Sequence, residues 1–157
     1  MSHSWHDAGA PKWAALDAWA RAFERREGRP CRWWIDKACI DQTNITEDLA
    51  ALPIFLSGCQ RLVICAGATY LERLWCIVEV YTFLKMGGSV ERIDVLPVGD
   101  GALQAKLRAF DAHECKCFKE EDRQRLLGAV EAGFGHCRRF NALVKVELGA
   151  ALGRLRS

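Results

Sequence analysis

Long apolar runs and a strong charge imbalance are both missing from this 157-residue chain. No uninterrupted apolar stretch reaches the length that crosses a membrane, and the first residues lack the basic-then-apolar pattern of a secretion signal. The net charge of +2 is too small to indicate nucleic acid or an anionic membrane as the main partner. These absences predict a cytoplasmic protein that binds neither nucleic acid nor membrane.

Internal repeats, linkers and low-complexity segments are missing as well. The composition is 50% apolar and 27% charged, which is typical of a globular protein. The length suits one domain with a substantial core. We therefore expect a single domain over residues 1–157.

Cys-x-x-Cys pairs are absent, although the chain contains eight cysteines. Cys31, Cys65 and Cys76 lie in apolar stretches, where a thiol behaves as a small hydrophobic side chain. Without a secretion signal, free thiols are a better interpretation than a disulfide framework.

The second half of the chain contains several residues of the types that bind metals. They are His113, Cys115, Cys117, His136 and Cys137. Their spacing matches no common zinc pattern, and Cys115 and Cys117 would equally suit one face of a strand. The sequence therefore favours the strand over a metal site.

Apolar periodicity predicts strands that alternate with helices. The predicted strands cover 31–36, 61–67, 92–98 and, more weakly, 112–118. The predicted helices cover 12–27, a segment from about 44 that contains Pro53, 73–86, 120–132 and 136–155. Pro53 is expected to kink its helix or to mark a second start, because proline removes a backbone donor. This alternation predicts an α/β fold with a parallel sheet and helices on both faces.

A single carboxyl group, Glu79, interrupts the apolar run from Leu74 to Met86. Burying an unpaired carboxylate is costly, and ligands of parallel α/β sheets bind where each helix follows its strand. Helical spacing places Glu79 in the second turn, on the same face as Trp75 and Cys76. The pattern leaves four interpretations open: a buried group paired with Arg or Lys, a half-exposed group, a contact with a partner protein, and a catalytic group.

Four stretches, in order along the chain, resemble a Toll/interleukin receptor (TIR) domain. They are SHSWHD (2–7), WIDKACIDQ (34–42), CQRLVICAGATYLERLWCIVEVYTF (59–83) and FGHCRRFN (134–141). The most specific element is the Trp-Cys-x-x-Glu motif at 75–79. The resemblance implies a flavodoxin-like sheet of five parallel strands in the order 2-1-3-4-5. The first strand of that order is central and should precede SHSWHD, so we expect it to be missing or truncated here.

The same resemblance implies one of two activities. Some TIR domains cleave NAD between nicotinamide and ribose, and the glutamate of the motif, here Glu79, is their essential residue. Others are scaffolds that only associate with themselves or with further TIR domains. NAD would be a substrate, so no cofactor is expected.

Further positions follow from the resemblance. The implied substrate-binding residues are Ser4, Trp5, Lys37, Arg73, Trp75 and Cys76. The implied self-association loop covers 37–48 and includes Ile40, Asp41 and Ile45. Trp75 would stack on a flat ring, with Arg73 or Lys37 near the diphosphate, although Trp75 equally suits core packing and Arg73 a solvated helix end. A receiver-type signalling domain with Asp36 as acceptor is a third interpretation, but the acidic pair and lysine that it needs are not evident.

Overall fold

The computed structural model describes residues 1–39, 45–99 and 102–154, which form a mixed α/β fold around a parallel sheet. Its strands are β1 (Ser2–His3), β2 (Leu62–Ala66) and β3 (Ile93–Pro97), in the order β1-β2-β3. The middle strand is β2, where Ile64 is in register with Ser2 on one side and Val95 on the other. The predicted parallel α/β class is confirmed.

Helices surround the sheet and are joined by short 3-10 turns. The helices are α1 (Gly9–Glu27), α2 (Asp36–Cys39), α3 (Ile45–Ser57), α4 (Leu74–Lys85), α5 (Leu103–Ala109), α6 (Glu120–Phe134) and α7 (Cys137–Gly153). The 3-10 turns cover Tyr70–Glu72, Val90–Arg92 and Ala112–Glu114. The predicted helices are confirmed, and α3 continues through Pro53 without a second start. Among the described helices, none has both the length and the apolarity to cross a membrane.

Both faces of β2 are buried, which explains its continuous apolar sequence. Leu62, Ile64 and Ala66 face the larger core, which α4, α6 and α7 complete. Val63 and Cys65 face a smaller core on the other side of the sheet, where Leu16 of α1 covers them. The prediction of helices on both faces is therefore confirmed.

The predicted strand over 31–36 is wrong, because residues 31–35 have irregular backbone and α2 follows directly. One backbone hydrogen bond, from Met1 N to Trp34 O at 2.7 Å, links this segment to the start of β1. A strand of only two residues offers too short an edge for a second ladder. The segment is anchored through its aromatic rings instead, and Trp34 stacks on Phe55 with ring centroids 5.7 Å apart.

The weaker strand predicted over 112–118 is also wrong. Its first part is a 3-10 turn, and the rest makes one parallel bridge between Lys116 and Arg73. The backbone of Lys116 donates to Glu72 O at 2.7 Å and accepts from Leu74 N at 3.1 Å. This segment therefore pairs with the start of α4 rather than with β3. The short helix α5 was not predicted, because Leu107 is its only buried residue and gives no periodic apolar signal.

The first strand was expected upstream of SHSWHD, yet Ser2 and His3 themselves form β1. They are in register with Ile64 and Cys65 of β2. The motif therefore contains a strand of only two residues as well as the loop that follows it, and so short a strand fits the expectation of a truncated first strand.

Candidate functional site

A cleft of about 140 Å³ opens at the carboxyl end of β1. This is the edge at which parallel α/β folds bind ligands. Four parts of the chain line it: the end of β1 and its loop, the start of α2, the start of α4, and the segment that enters α6. The lining residues are His3, Ser4, Trp5, His6, Asp36, Arg73, Trp75, Cys76, Cys117, Phe118 and Asp122.

Aromatic side chains dominate the mouth of this cleft. Phe118 is 89% exposed and Trp5 is 51% exposed, which is unusual for such large rings. The ring of His3 meets the Trp5 ring edge-on, with centroids 4.1 Å apart. Lys12 Nζ lies 6.0 Å from the Trp5 ring centroid, on the edge of cation–π range. The cleft therefore presents flat apolar surfaces beside fixed positive charge.

The loop after β1 is held in place by the segment that follows β2. Asp7 Oδ1 accepts hydrogen bonds from both the backbone nitrogen and the hydroxyl of Thr69, each at 2.9 Å. The hydroxyls of Ser4 and Thr69 are 2.7 Å apart. Buried Lys12 of α1 donates to the carbonyl of Ser4 at 2.6 Å. Gly67 permits this close approach, because a Cβ there would lie 2.3 Å from Asp7 Oδ2.

Glu79 lies behind the cleft rather than in its wall, and it is only 2% exposed. The hydroxyl of Ser2 donates to its Oε2 at 2.6 Å. Ser2 Oγ also lies within hydrogen-bond distance of Tyr70 OH, 3.0 Å away. Within the described ranges, no Lys or Arg forms an ion pair with Glu79. The first two sequence interpretations, an ion-paired group and a half-exposed group, are therefore wrong for the part of the chain that the structure describes.

Burial raises the pKa of Glu79 from 4.5 to about 8, and the nearby carboxylate of Asp36 adds to the rise. The hydrogen bond from Ser2 and the indole N–H of Trp75 work in the opposite direction. Trp75 Nε1 is itself buried and has no partner at full hydrogen-bond geometry, so its N–H acts on Glu79 as a nearby dipole. Trp75 thus lines the cleft and also influences the pKa of Glu79.

His3 contributes a neutral ring to the cleft wall. Burial and, next to it, the positive charge of Lys12 lower the pKa of His3 to about 4. Its Nδ1 is buried without a hydrogen-bond partner among the described residues. The ring is therefore uncharged at neutral pH, and one of its polar atoms remains unsatisfied.

The structure brings together most of the residues proposed from sequence. Ser4, Trp5, Arg73, Trp75 and Cys76 all line the one cleft. Lys37 lies in α2, next to the cleft residue Asp36, and Ile45 begins α3. Ile40 and Asp41 lie outside the described residues.

Sequence reasoning gave no site role to several residues that shape the cleft. His3, Cys117, Phe118 and Asp122 line it. The hydroxyl of Tyr70 lies 3.0 Å from the hydroxyl of Ser2, the residue that donates to Glu79. Of these residues, Phe118 could have been predicted from the sequence. It is an aromatic residue at the end of a predicted strand, and ligands of parallel α/β folds bind at such ends.

A second, larger cleft of about 500 Å³ lies at the opposite, amino end of the strands. Met1, Trp34, Arg61 and Val63 are among the residues that line it. Its described lining includes Cys31 and Cys59 but no histidine, aspartate or glutamate, so the smaller cleft beside Glu79 is the better candidate for chemistry.

Comparison of the chain with protein-family models, curated proteins and solved structures found no match.

Proposed function

We propose that this chain is a TIR-like domain with a flavodoxin-like core, and that it hydrolyses NAD to nicotinamide and ADP-ribose in the cleft beside Glu79. The single observation that supports this best is Glu79 itself. It is a buried carboxyl group with a raised pKa and no ion-pair partner among the described residues, and it lies one helical turn behind an aromatic cleft. Perturbed carboxyl groups in such positions are candidates for chemistry.

The ligand in this proposal supplies the cation that Glu79 lacks. The nicotinamide ring of NAD is positively charged, and that charge moves toward the ribosyl carbon as the glycosidic bond breaks. A carboxylate in a site of low dielectric stabilises this developing charge strongly. The same positive charge would lower the pKa of Glu79 and favour its ionised form when substrate binds.

The remaining cleft residues suit the other parts of NAD. The flat rings of Trp5 and Phe118 offer stacking surfaces for adenine or nicotinamide, and Trp75 offers a third. Arg73 is only partly buried and can form charge-assisted hydrogen bonds to a diphosphate. These assignments require no metal ion.

The reaction in this proposal needs one water molecule. The bond between ribose C1′ and the nicotinamide nitrogen breaks, and its electron pair neutralises the ring, so nicotinamide leaves without protonation. Water then attacks C1′ and loses a proton to solvent, which gives ADP-ribose. Glu79 stabilises the oxocarbenium-like transition state electrostatically and accepts hydrogen bonds from the ribose hydroxyls.

Catalysis also requires movement of Trp75. Glu79 is buried and does not line the cleft, whereas Trp75 does, so in this proposal the carboxylate reaches the ribose when the Trp75 ring turns aside. Trp75 has a partly exposed side chain in the first turn of α4, where rotation disturbs less packing than in the core.

The test measures nicotinamide release from NAD by the native chain and by Glu79→Gln. The substitution keeps size and removes charge, so we expect release to fall by about 10²-fold or more. Glu72→Gln is the matched control, because Glu72 is an exposed carboxylate just before the same helix. We expect Glu72→Gln to retain activity. Equal activity of the native protein and Glu79→Gln, both with folded circular dichroism spectra, would overturn the catalytic assignment.

A folded native chain that releases no nicotinamide would favour the other activity that the resemblance implies. The protein would then be a non-catalytic interaction module. Self-association through residues 37–48 remains a proposal under either activity.

A further inference from the structure

Three side chains of metal-binding types meet outside the cleft, and none of them lines it. His113 comes from the Ala112–Glu114 turn, Glu131 from the last turn of α6, and Cys137 is the first residue of α7. One ligand atom from each lies within 4.8 Å of the other two. We propose that these three residues bind a zinc ion, which fastens the turn to the two carboxyl-terminal helices.

The distances are close to those of a bound site. His113 Nε2 lies 4.0 Å from Glu131 Oε1, and Cys137 Sγ lies 3.8 Å from the same oxygen. Zinc bonds of about 2.0–2.3 Å place neighbouring atoms of a tetrahedral shell roughly 3.3–3.8 Å apart. His113 and Glu131 have side chains that are each 53% exposed, so small rotations close the remaining gap.

The three types of ligand atom indicate which metal ion the site would bind. A thiolate, an imidazole and a carboxylate together suit zinc, whereas calcium and magnesium require oxygen donors alone. Three protein ligands leave the fourth tetrahedral position to water, which the exposure of His113 and Glu131 admits. Since each of the three side chains supplies one ligand atom, we expect the affinity for zinc to depend on all of them.

The electrostatics of the cluster also favour a cation. Cys137 Sγ lies 3.8 Å from the carboxylate oxygen Glu131 Oε1. A thiolate beside a carboxylate is unfavourable unless a positive charge lies between them. Zinc supplies that charge and deprotonates a coordinating thiol outright.

The backbone holds the ligands near one another before any metal binds. Gly135 adopts a left-handed conformation with φ of 76°, which ends α6 and turns the chain so that α7 starts beside it. Asp111 Oδ1 accepts from His113 N at 3.0 Å and from Asn141 Nδ2 of α7 at 2.9 Å. These contacts fix the turn that carries His113 against α7, so little reorganisation is needed to form the site.

Sequence spacing concealed this site. The interval between His113 and Cys137 matches no common zinc pattern, and Glu131 is a ligand type that was not considered. Cys115, Cys117 and His136 do not belong to the cluster. The fold, not the spacing, selects which of these residues lie together.

The test uses the whole chain, freed of metal with a chelator and kept reduced with a phosphine. Co²⁺ serves as the spectroscopic probe. We expect one equivalent to bind, with a thiolate-to-cobalt charge-transfer band and the intense visible bands of four-coordinate cobalt. Zn²⁺ should displace the cobalt and raise the melting temperature, whereas Mg²⁺ and Ca²⁺ should do neither.

Variants assign the ligands. His113→Gln and Glu131→Gln change exposed side chains, so both should fold and should weaken zinc binding at least about 10-fold. Cys137→Ser should abolish the charge-transfer band. His136→Gln and Cys31→Ser are matched controls and should bind zinc as the native chain does. The proposal is overturned if the native chain takes up no cobalt, or if His113→Gln and Glu131→Gln both bind zinc with native affinity.

Discussion

The hydroxyl of Ser2 lies 2.6 Å from Glu79 Oε2, and this contact joins the first strand to the middle of α4. It is a short, charge-assisted hydrogen bond when Glu79 is ionised. The pair links the position of β1 to the charge state of the carboxyl group behind the cleft. Each of the first two predictions depends on this pair.

Ser2→Ala should destabilise the protein, because it removes a hydrogen bond from a buried carboxyl group and from Tyr70. We expect a loss of about 1–3 kcal/mol in the free energy of unfolding, measured by urea denaturation near pH 7. Ser57→Ala is the control, since Ser57 is exposed at the end of α3 and should change stability by less than about 0.5 kcal/mol. Equal losses in the two variants would contradict the role assigned to Ser2.

Stability should fall as pH rises, because the folded protein keeps the Glu79 proton to a higher pH than the unfolded chain does. With a folded pKa of about 8 against an ordinary value of 4.5, the stabilisation is full below pH 4.5 and lost by about pH 8. The slope from this one group is at most about 1.4 kcal/mol per pH unit.

Glu79→Gln removes this titration and keeps the acceptor for Ser2. Its melting temperature should exceed that of the native protein at pH 8, and the gap should shrink toward pH 5. The titration of His3 is common to both proteins and cancels in the comparison. A gap that is constant from pH 5 to pH 8 would mean that Glu79 is already ionised throughout.

NAD cleavage should depend on pH in the opposite direction, if the proposed function is right. The ionised carboxylate is the active form, so kcat/KM should rise with pH up to about 8 and then level off. A plateau that begins below pH 6 would show that the free enzyme does not titrate at Glu79.

Two glycine substitutions should have opposite effects on stability. Gly67→Ala places a Cβ 2.3 Å from Asp7 Oδ2 and 2.9 Å from its Cβ, so it should displace the loop after β1, lower the melting temperature and reduce activity. Gly128→Ala adds a methyl group to open space on α6 and should stabilise by about 1 kcal/mol, because alanine favours helices over glycine. Thermal melts should show a lower melting temperature for Gly67→Ala and a higher one for Gly128→Ala than for the native protein.

Self-association should raise the activity of each molecule if the loop 37–48 acts as the resemblance implies. The specific activity of the native chain should increase with protein concentration, and Ile40→Asp combined with Ile45→Asp should remove that increase. Sedimentation of both proteins over the same concentrations checks it. Specific activity that does not vary with concentration in the native chain would argue against this role.

Apolar patterning predicted the elements that are long or buried on both sides. The strand at 61–67 and the helix at 73–86 were predicted nearly to their observed ends, because every residue of β2 and most of α4 are buried. The segment at 31–36 has the same strand-like composition but lacks a long neighbour to pair with. Apolar composition indicates that a segment is buried. To form a strand, the segment also needs a neighbouring strand to hydrogen-bond with, and a single sequence does not reveal that neighbour.

The candidate site was predictable in part for a similar reason. Trp75, Cys76 and Glu79 are close in sequence, so helical spacing alone places them together. Ser2 lies 77 positions from Glu79, and only the fold brings the two into contact. The cluster of His113, Glu131 and Cys137 was missed for the same reason, since three separate elements supply it.

The contact between Ser2 and Glu79 also constrains the order in which the protein can be completed during synthesis. Ser2 leaves the ribosome before its partner on α4, which follows 77 positions later. Contacts of such long separation form late, because the loop between them must close first. Until α4 emerges, Ser2 has no carboxyl group to bind. A nascent chain therefore cannot hold a finished cleft, and any activity located there is delayed until the sheet and α4 have assembled.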